Sequence, residues 1–272
     1  MDKKIIGLGI AGLGALVALN FRVPERAVDE SLEKQINNAL AEEIERIKPS
    51  RQDIDTFSWI TKDNNPIHRL QHIAQKYGFS DVPLMGAHVA ALGEQYIERV
   101  VQHMREYWGA DIKIIGQKNK FRAPLHPEER VLWQVKGDKQ KNGAIELEVS
   151  GAVKDKEVVT ITSRLGNKYP IMPQIAGPIY SKRFLLTPEH LEAFYKCVGG
   201  KGERVPNMLP AAFVPATLLT LLEDKTQTME GMNLAMDFDF LSQTTPGHLQ
   251  VDIFRPKRPF EVKGNFAYRF QA

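Results

Sequence analysis

The chain lacks the features that indicate a secreted, metal-binding or nucleic-acid-binding protein. Cys197 is the single cysteine among 272 residues, so an intrachain disulfide is excluded and an oxidising compartment is not indicated. The seven histidines are scattered along the sequence, and together with one cysteine they provide no set with metal-ligand spacing. The formal net charge of +3 is too small and too dispersed to indicate nucleic acid. We therefore expect no metal, no cofactor and no nucleic-acid partner.

The N-terminus carries an uncharged apolar run over residues 5–19. A helix of that length spans about 22 Å, which is short of the ~30 Å hydrocarbon core of a bilayer. Residues 7–12 match the dinucleotide-binding fingerprint formally, but no acidic residue ends a second strand at the expected distance. Lys3 and Lys4 resemble the basic flank of a signal peptide or signal anchor, and no small-x-small cleavage site follows. We expect residues 1–24 to form an uncleaved, membrane-associated apolar helix.

The most informative stretch is Asp63-Asn64-Asn65-Pro66-Ile67-His68. It follows residues 51–61, whose apolar positions predict a short helix. Pro66 has no N–H and disfavours helix at the residue before it, so the chain must turn after Asp63. If the turn brings Asp63 and His68 together, they can hold and activate a water molecule. The alternative is that Asp63 caps a turn and His68 starts the next helix, because such residues are ordinary turn formers.

The pattern Asp-x-Asn-Pro-x-His after an amphipathic helix resembles the signature of the MaoC-like dehydratases, which include the (R)-specific (type-2) enoyl-CoA hydratases. Residues 78–92 resemble the loop that leads into the long central helix of this family. Residues 120–132 resemble the strand and turn that follow the helix, and residues 136–165 alternate as strands should. The resemblance is continuous over roughly residues 50 to 165.

The resemblance implies an enzyme that needs no cofactor and reversibly hydrates trans-2-enoyl thioesters, of coenzyme A or of a carrier protein, to (R)-3-hydroxyacyl thioesters. It implies that Asp63 and His68 are catalytic. It also implies that Asn65 fixes the loop and contributes to substrate binding. A backbone N–H of Gly86 or Ala87, at the start of the central helix, would bind the thioester oxygen.

Two other functions remain open. One is a non-catalytic acyl-thioester-binding protein at a membrane, and the other is a thioesterase that releases free thiol. The family usually has glycine where this chain has Lys62, and a His-Gly pair where it has Gly86 and Ala87. Because a coenzyme A thioester is a cytoplasmic substrate, we expect the body of the protein in the cytoplasm, associated with a membrane through residues 5–19.

The second half of the chain repeats the first in outline. The matching segments are 53–57 with 189–194, Val82-Pro83 with Val214-Pro215, and Phe121 to Pro127 with Phe240 to Pro246. Repeats of this size indicate duplication of a unit of about a hundred residues. No His follows Pro206 and no Asp precedes it where the second unit should carry the motif. Only the first unit therefore keeps the chemistry.

These observations predict an α+β double hot-dog fold, in which each of two units wraps an antiparallel sheet around a central helix. The predicted domains are the N-terminal segment 1–24, a catalytic unit 25–168 and a non-catalytic unit 169–272. One chain would then supply the two-unit assembly, and a homodimer of the chain is compatible with this arrangement.

Overall fold

The computed structural model describes residues 48–108, 111–141, 144–169, 180–200, 202, 204–217, 235–239, 247–254 and 267–271, together with helical positions 34 and 38. The predicted apolar helix over residues 1–24 and the predicted Phe240 to Pro246 segment lie outside this set. Within the set, every helix is too short or too polar to cross a bilayer.

Five helices and one 3₁₀ turn are described, and two of the helices begin at a side-chain cap. They are α1 (Arg51–Thr61), α2 (Gln71–Lys76), α3 (Gly86–Trp108), α4 (Pro188–Val198) and α5 (Met208–Ala211), with a 3₁₀ turn over Pro66–His68. Ser50 and Asp53 form a capping box at the start of α1, and Thr187 caps α4 with Pro188 in its first turn. Both helices end at a residue in the left-handed conformation, Lys62 after α1 and Gly199 after α4.

The described strands form two antiparallel sheets. They are β1 (Lys113–Phe121), β2 (Leu132–Lys141), β3 (Ala144–Val153), β4 (Lys156–Gly166), β5 (Tyr180–Leu186), β6 (Ala235–Asp239), β7 (Gly247–Phe254) and β8 (Ala267–Gln271). The first sheet has the order β2-β3-β4-β1-β6, and the second has the order β5-β7-β8. The alternation predicted over residues 136–165 is confirmed, because β2, β3 and β4 occupy this range.

Strand β1 lies inside the first sheet and joins the two halves of the sequence. It pairs with β4 on one side and with β6 on the other, from Gly116 opposite Asp239 to Lys120 opposite Ala235. A strand from the predicted second unit therefore extends the sheet of the predicted first unit.

Helix α3 packs closely against this sheet because its contact face is made of small residues. A Cβ atom on Gly93 would lie 2.1 Å from Ile161 Cδ1 and 3.0 Å from the Trp133 ring. Ala90 and Ala91, on the preceding turn, are fully buried. The antiparallel sheet with helices across it agrees with the predicted α+β class.

Three helices meet at Phe57, which is fully buried on α1. Its ring stacks on His88 of α3 at a centroid distance of 4.4 Å and lies 5.8 Å from the ring of Phe194 on α4. The apolar face predicted for residues 51–61 is thus the face that joins α1 to both neighbouring helices.

The predicted match between Val82-Pro83 and Val214-Pro215 is wrong. Helix α5 begins at Met208, directly after Val205-Pro206, whereas Val214 and Pro215 lie inside the helical residues 213–217. Pro215 is tolerated there because the first turn of a helix leaves N–H groups unbonded. Val205-Pro206, like Val82-Pro83, therefore lies within a few residues of a helix start.

Candidate active site

The loop after α1 holds Asp63 in a buried position. Asp63 is only 4% exposed. The Ser58 hydroxyl donates a hydrogen bond to the backbone carbonyl of Asp63. The Asn65 N–H donates to Asp63 Oδ1 at 3.1 Å, while Asn65 Oδ1 accepts from the Ile67 N–H at 3.2 Å. Asn65 therefore links the carboxylate to the 3₁₀ turn. Asp63 Oδ2 has no hydrogen-bond partner among the described residues.

The turn between α1 and this loop depends on a left-handed residue. Lys62 has a φ of 61°, a conformation that costs a non-glycine residue roughly 1–2 kcal/mol. Its ammonium lies 5.4 Å from the centre of the Trp59 ring. The family resemblance places a glycine here, and the observed φ gives a physical reason for that preference.

His68 is held at the end of the 3₁₀ turn with a defined tautomer. Its Nδ1 lies 2.9 Å from the Pro83 carbonyl oxygen. Because a carbonyl can only accept, Nδ1 carries the proton and Nε2 is the acceptor of the neutral ring. The alternative in which His68 starts the next helix does not hold, since α2 begins at Gln71.

Burial determines the protonation state of His68. It lowers the pKa of this imidazole below its ordinary value, and the Asp63 charge and the Pro83 carbonyl oppose that effect only in part. The ring is therefore neutral at pH 7 and can accept a proton at Nε2. Asp63 and His68 thus belong to one short loop, in which the Asp63 charge favours the protonated imidazole and raises its pKa.

The segment that leads into α3 connects His68 to the helix start. The Leu84 N–H donates to the Leu125 carbonyl at 2.7 Å, and His126 Nδ1 lies 3.2 Å from the Val82 carbonyl. Helix α3 then begins at Gly86, and Ala87 follows in its first turn. N–H groups in a first turn lack intrahelical partners and carry partial positive charge. The two predicted oxyanion donors, Gly86 and Ala87, thus follow within four residues of Pro83, whose carbonyl binds His68.

His88 is a structural residue rather than a second base. It is fully buried against Phe57, and its Nε2 donates to the Cys197 carbonyl at 3.2 Å. Burial lowers the pKa of His88 to about 4, so the ring stays neutral and ties α3 to the end of α4. Cys197 is itself buried.

Glu94, which the sequence analysis missed, binds the start of a helix in the second half of the chain. It is fully buried on α3 and accepts from the Asn207 N–H at 2.8 Å and the Met208 N–H at 2.9 Å. These N–H groups lie at the start of α5. The signal in the sequence was a carboxylate within the buried stretch of α3 between Val89 and Ile97.

Glu94 should make stability depend on pH. Burial raises its pKa to about 8 from an ordinary value of 4.5, against the opposing effect of the two N–H donors. Between these values the unfolded chain releases a proton that the folded chain keeps, so the free energy of unfolding falls as pH rises. We expect a loss on the order of a few kcal/mol from pH about 5 to about 8.

Denaturant unfolding of wild type and Glu94→Gln across this range is the measurement. The amide cannot ionise, so the variant should lose distinctly less stability than wild type as pH rises. Parallel stability curves for the two proteins would contradict the assignment.

A cleft of about 680 Å³ lies beside Glu94 rather than beside the predicted dyad. It is bounded by the second half of α3, the start of β1, Tyr195, Gly202 and residues 204–207. Its charged lining residues are Glu98, Arg105, Asp111, Lys113 and Arg204. None of the predicted site residues contributes to this cleft.

A buried polar cluster, also missed, lies between the first sheet and α3. Gln117 and Asn119 on β1 and Ser163 on β4 are all fully buried. One polar atom of each, namely Gln117 Oε1, Asn119 Nδ2 and Ser163 Oγ, has no partner among the described residues. An unsatisfied buried polar group typically costs about 1–3 kcal/mol. In the sequence, Gln117 and Asn119 alternate with Lys118 and Lys120. All four residues are polar, so the sequence does not indicate that one face of β1 is buried here.

Solved structures with a similar fold include MaoC-like dehydratases. A MaoC domain protein dehydratase from Chloroflexus aurantiacus J-10-fl has a TM-score of 0.53 at 10% identity, covering 82% of this chain and 90% of its own. A MaoC-like dehydratase from Phytophthora capsici has a TM-score of 0.50 at 12% identity, covering 85% and 92%. A further MaoC-like dehydratase has a TM-score of 0.50 at 9% identity, covering 76% and 85%.

No family model and no curated protein matches the sequence. The likeness therefore concerns the fold, and at this level it confirms the resemblance to MaoC-like dehydratases that the Asp63 to His68 motif predicted.

Proposed function

We propose that this chain is a hydratase–dehydratase that adds water reversibly to trans-2-enoyl thioesters and forms (R)-3-hydroxyacyl thioesters. The acyl carrier would be coenzyme A or a carrier protein. The observation that carries the proposal is the His68–Pro83 hydrogen bond, since it leaves a neutral Nε2 as proton acceptor in the same loop as the buried Asp63. The shared fold with MaoC-like dehydratases supports it.

In this mechanism His68 Nε2 takes a proton from water while the water oxygen bonds to C3 of the enoyl group. The electron pair of the C2–C3 double bond moves toward the thioester carbonyl, whose oxygen becomes negative. A first-turn N–H, from Gly86 or Ala87, stabilises that charge. The proton on Nε2 then passes to C2, so both additions occur on one face. Asp63 orients the water and stabilises the transient imidazolium.

We propose that the second half is a non-catalytic hot-dog unit, which makes the fold a double hot-dog with units 25–168 and 169–272. The pairing of β1 with β6 supports this, as do the similar caps of α1 and α4. Glu94 occupies the N–H groups at the start of α5, where the second unit would otherwise bind a thioester oxygen. In the proposal this unit supports the first and contributes to the acyl site. The proposal also places the folded part of the protein in the cytoplasm, associated with a membrane through residues 5–19.

One pair of assays tests the function. Loss of the enoyl-thioester absorbance is followed across acyl chain lengths, and thiol release is measured in parallel. Absorbance loss without thiol release supports the hydratase. Thiol release would instead indicate a thioesterase, and acyl-thioester binding without either reaction would indicate a non-catalytic binding protein.

The pH profile of kcat/KM should reflect the lowered pKa of His68. The base must be neutral, so activity should be lost only when pH falls through the lowered pKa, below the ordinary histidine value of 6.5. Measurement of kcat/KM on an enoyl thioester across the acidic range gives the midpoint. An acidic limb centred above 6.5 would contradict the proposed role of His68.

A further inference from the structure

The buried face of α1 carries two hydroxyl residues beside its apolar residues. Ser58 and Thr61 follow Ile54 and Phe57 at the spacing i, i+3, i+4 and i+7, which places all four on one face of a helix. Ser58 is 3% exposed and Thr61 is fully buried, although serine and threonine are mostly exposed in folded proteins. Each hydroxyl group therefore needs a hydrogen-bond partner inside the protein.

Both hydroxyl groups bind the backbone of Asp63. Ser58 Oγ donates to the Asp63 carbonyl. Thr61 Oγ1 accepts from the Asp63 N–H at 3.4 Å and donates to the Phe57 carbonyl at 2.8 Å. Lys62, in the left-handed conformation, ends α1 and turns the chain just before Asp63. Because the N–H and the carbonyl of Asp63 are both bonded to side chains of one helix, this residue has a fixed position relative to α1.

Helix α1 is in turn fixed against the helix that carries the proposed oxyanion donors. The ring of Phe57, the residue before Ser58, stacks on His88 at a centroid distance of 4.4 Å. His88 lies in the first turn of α3, which begins at Gly86. A series of buried contacts therefore connects the start of α3 to Asp63. A displacement of about 1 Å within such a site can cost ~10²-fold in rate.

We propose that Ser58 and Thr61 are positioning residues for the hydration reaction. They hold the backbone of Asp63 so that its carboxylate orients the reacting water, and they act only through Asp63 because both hydroxyl groups are buried and bonded to backbone. This role rests on the proposed hydratase function. If the two hydroxyl groups served stability alone, their removal would leave the turnover of folded protein unchanged.

Ser58→Ala is expected to lower kcat at least ~10-fold and to leave KM close to the wild-type value, because it shifts the carboxylate without removing a group that binds substrate. Ser58→Cys keeps a weak hydrogen-bond donor, so it should retain more activity than Ser58→Ala. Thr61→Val keeps the shape of the side chain and should also lower kcat, which provides a second test if Ser58→Ala does not fold. The measurement is steady-state turnover of an enoyl thioester by purified, folded protein.

Thr217→Val is the matched control for Thr61→Val. Thr217 is fully buried, and its hydroxyl donates to the Phe213 carbonyl at 2.9 Å, four residues earlier, as the Thr61 hydroxyl does to Phe57. Both variants should lower the midpoint of denaturant unfolding, but Thr217→Val should retain the wild-type kcat. Equal kcat values for the two variants would overturn the inference for Thr61.

A double-mutant cycle on kcat separates positioning from stability. If Ser58 acts through the carboxylate of Asp63, Ser58→Ala should have little further effect on kcat in the Asp63→Asn variant. Full multiplication of the two separate losses would overturn the inference, as would a wild-type kcat in folded Ser58→Ala, and either result would leave the hydratase function intact. Absence of wild-type turnover with every enoyl thioester would overturn both the hydratase function and this inference.

Discussion

Asp63→Asn and His68→Ala are each expected to lower kcat by at least ~10²-fold, the low end of general acid–base contributions. Asn at position 63 can still accept from the Asn65 N–H, so the loop should keep its shape while the negative charge is lost. Removal of the His68 ring eliminates Nε2, the proposed proton acceptor, together with the hydrogen bond from Nδ1 to the Pro83 carbonyl that orients the ring. The measurement is turnover of an enoyl thioester by purified, folded protein.

Two further variants separate chemistry from structure. His68→Gln keeps an N–H that can bind the Pro83 carbonyl but has no basic nitrogen, so it should be as inactive as His68→Ala. His103→Ala is the control, because this half-exposed histidine on α3 is 3.9 Å from Glu106 and remote from the loop. Its turnover should match wild type. Normal turnover in Asp63→Asn or His68→Gln would reject the proposed dyad.

Phe57→Ala is expected to lower the free energy of unfolding by about 3–5 kcal/mol, the range for truncation of a buried aromatic ring. The ring is fully buried and contacts His88 and Phe194. Its loss would leave a cavity between α1, α3 and α4 and remove the stacking partner of a buried imidazole. Denaturant unfolding gives the stability change.

Phe57→Leu and Trp59→Ala are the matched variants for this prediction. Leucine fills part of the cavity, so Phe57→Leu should lose distinctly less stability than Phe57→Ala. Trp59 lies on the same helix but is 48% exposed, so its truncation should also be much less destabilising than that of Phe57. Equal losses for Phe57→Ala and Trp59→Ala would contradict the described packing of α1.

Local sequence signals predicted much of the first half. The spacing of Ile54, Phe57 and Ile60 indicated the face of α1 that is buried. The turn after Asp63 followed from Pro66, because proline restricts both itself and the residue before it. The cap at Thr187 and Pro188 is likewise a local feature that lies where α4 begins. These features depend on side chains within a few residues of each other.

The second half was harder because two Val-Pro pairs lie close together in the sequence. Val214-Pro215 precedes an apolar run, yet the helix starts earlier, after Val205-Pro206. Nothing local distinguishes the two pairs. A long-range contact lies at the start that the structure shows, where the carboxyl group of Glu94, more than a hundred residues earlier, accepts from the Asn207 and Met208 N–H groups.

The sequence alone determined the helix class of α1, α3 and α4, the turn that carries Asp63 and His68, and the resemblance to MaoC-like dehydratases. The tertiary structure alone decided the tautomer of His68, the pairing of β1 with β6 and the burial of Gln117 beside Ser163. The reason is physical: propensities and caps act between near neighbours, whereas hydrogen-bond partners and desolvation depend on groups that only folding brings together.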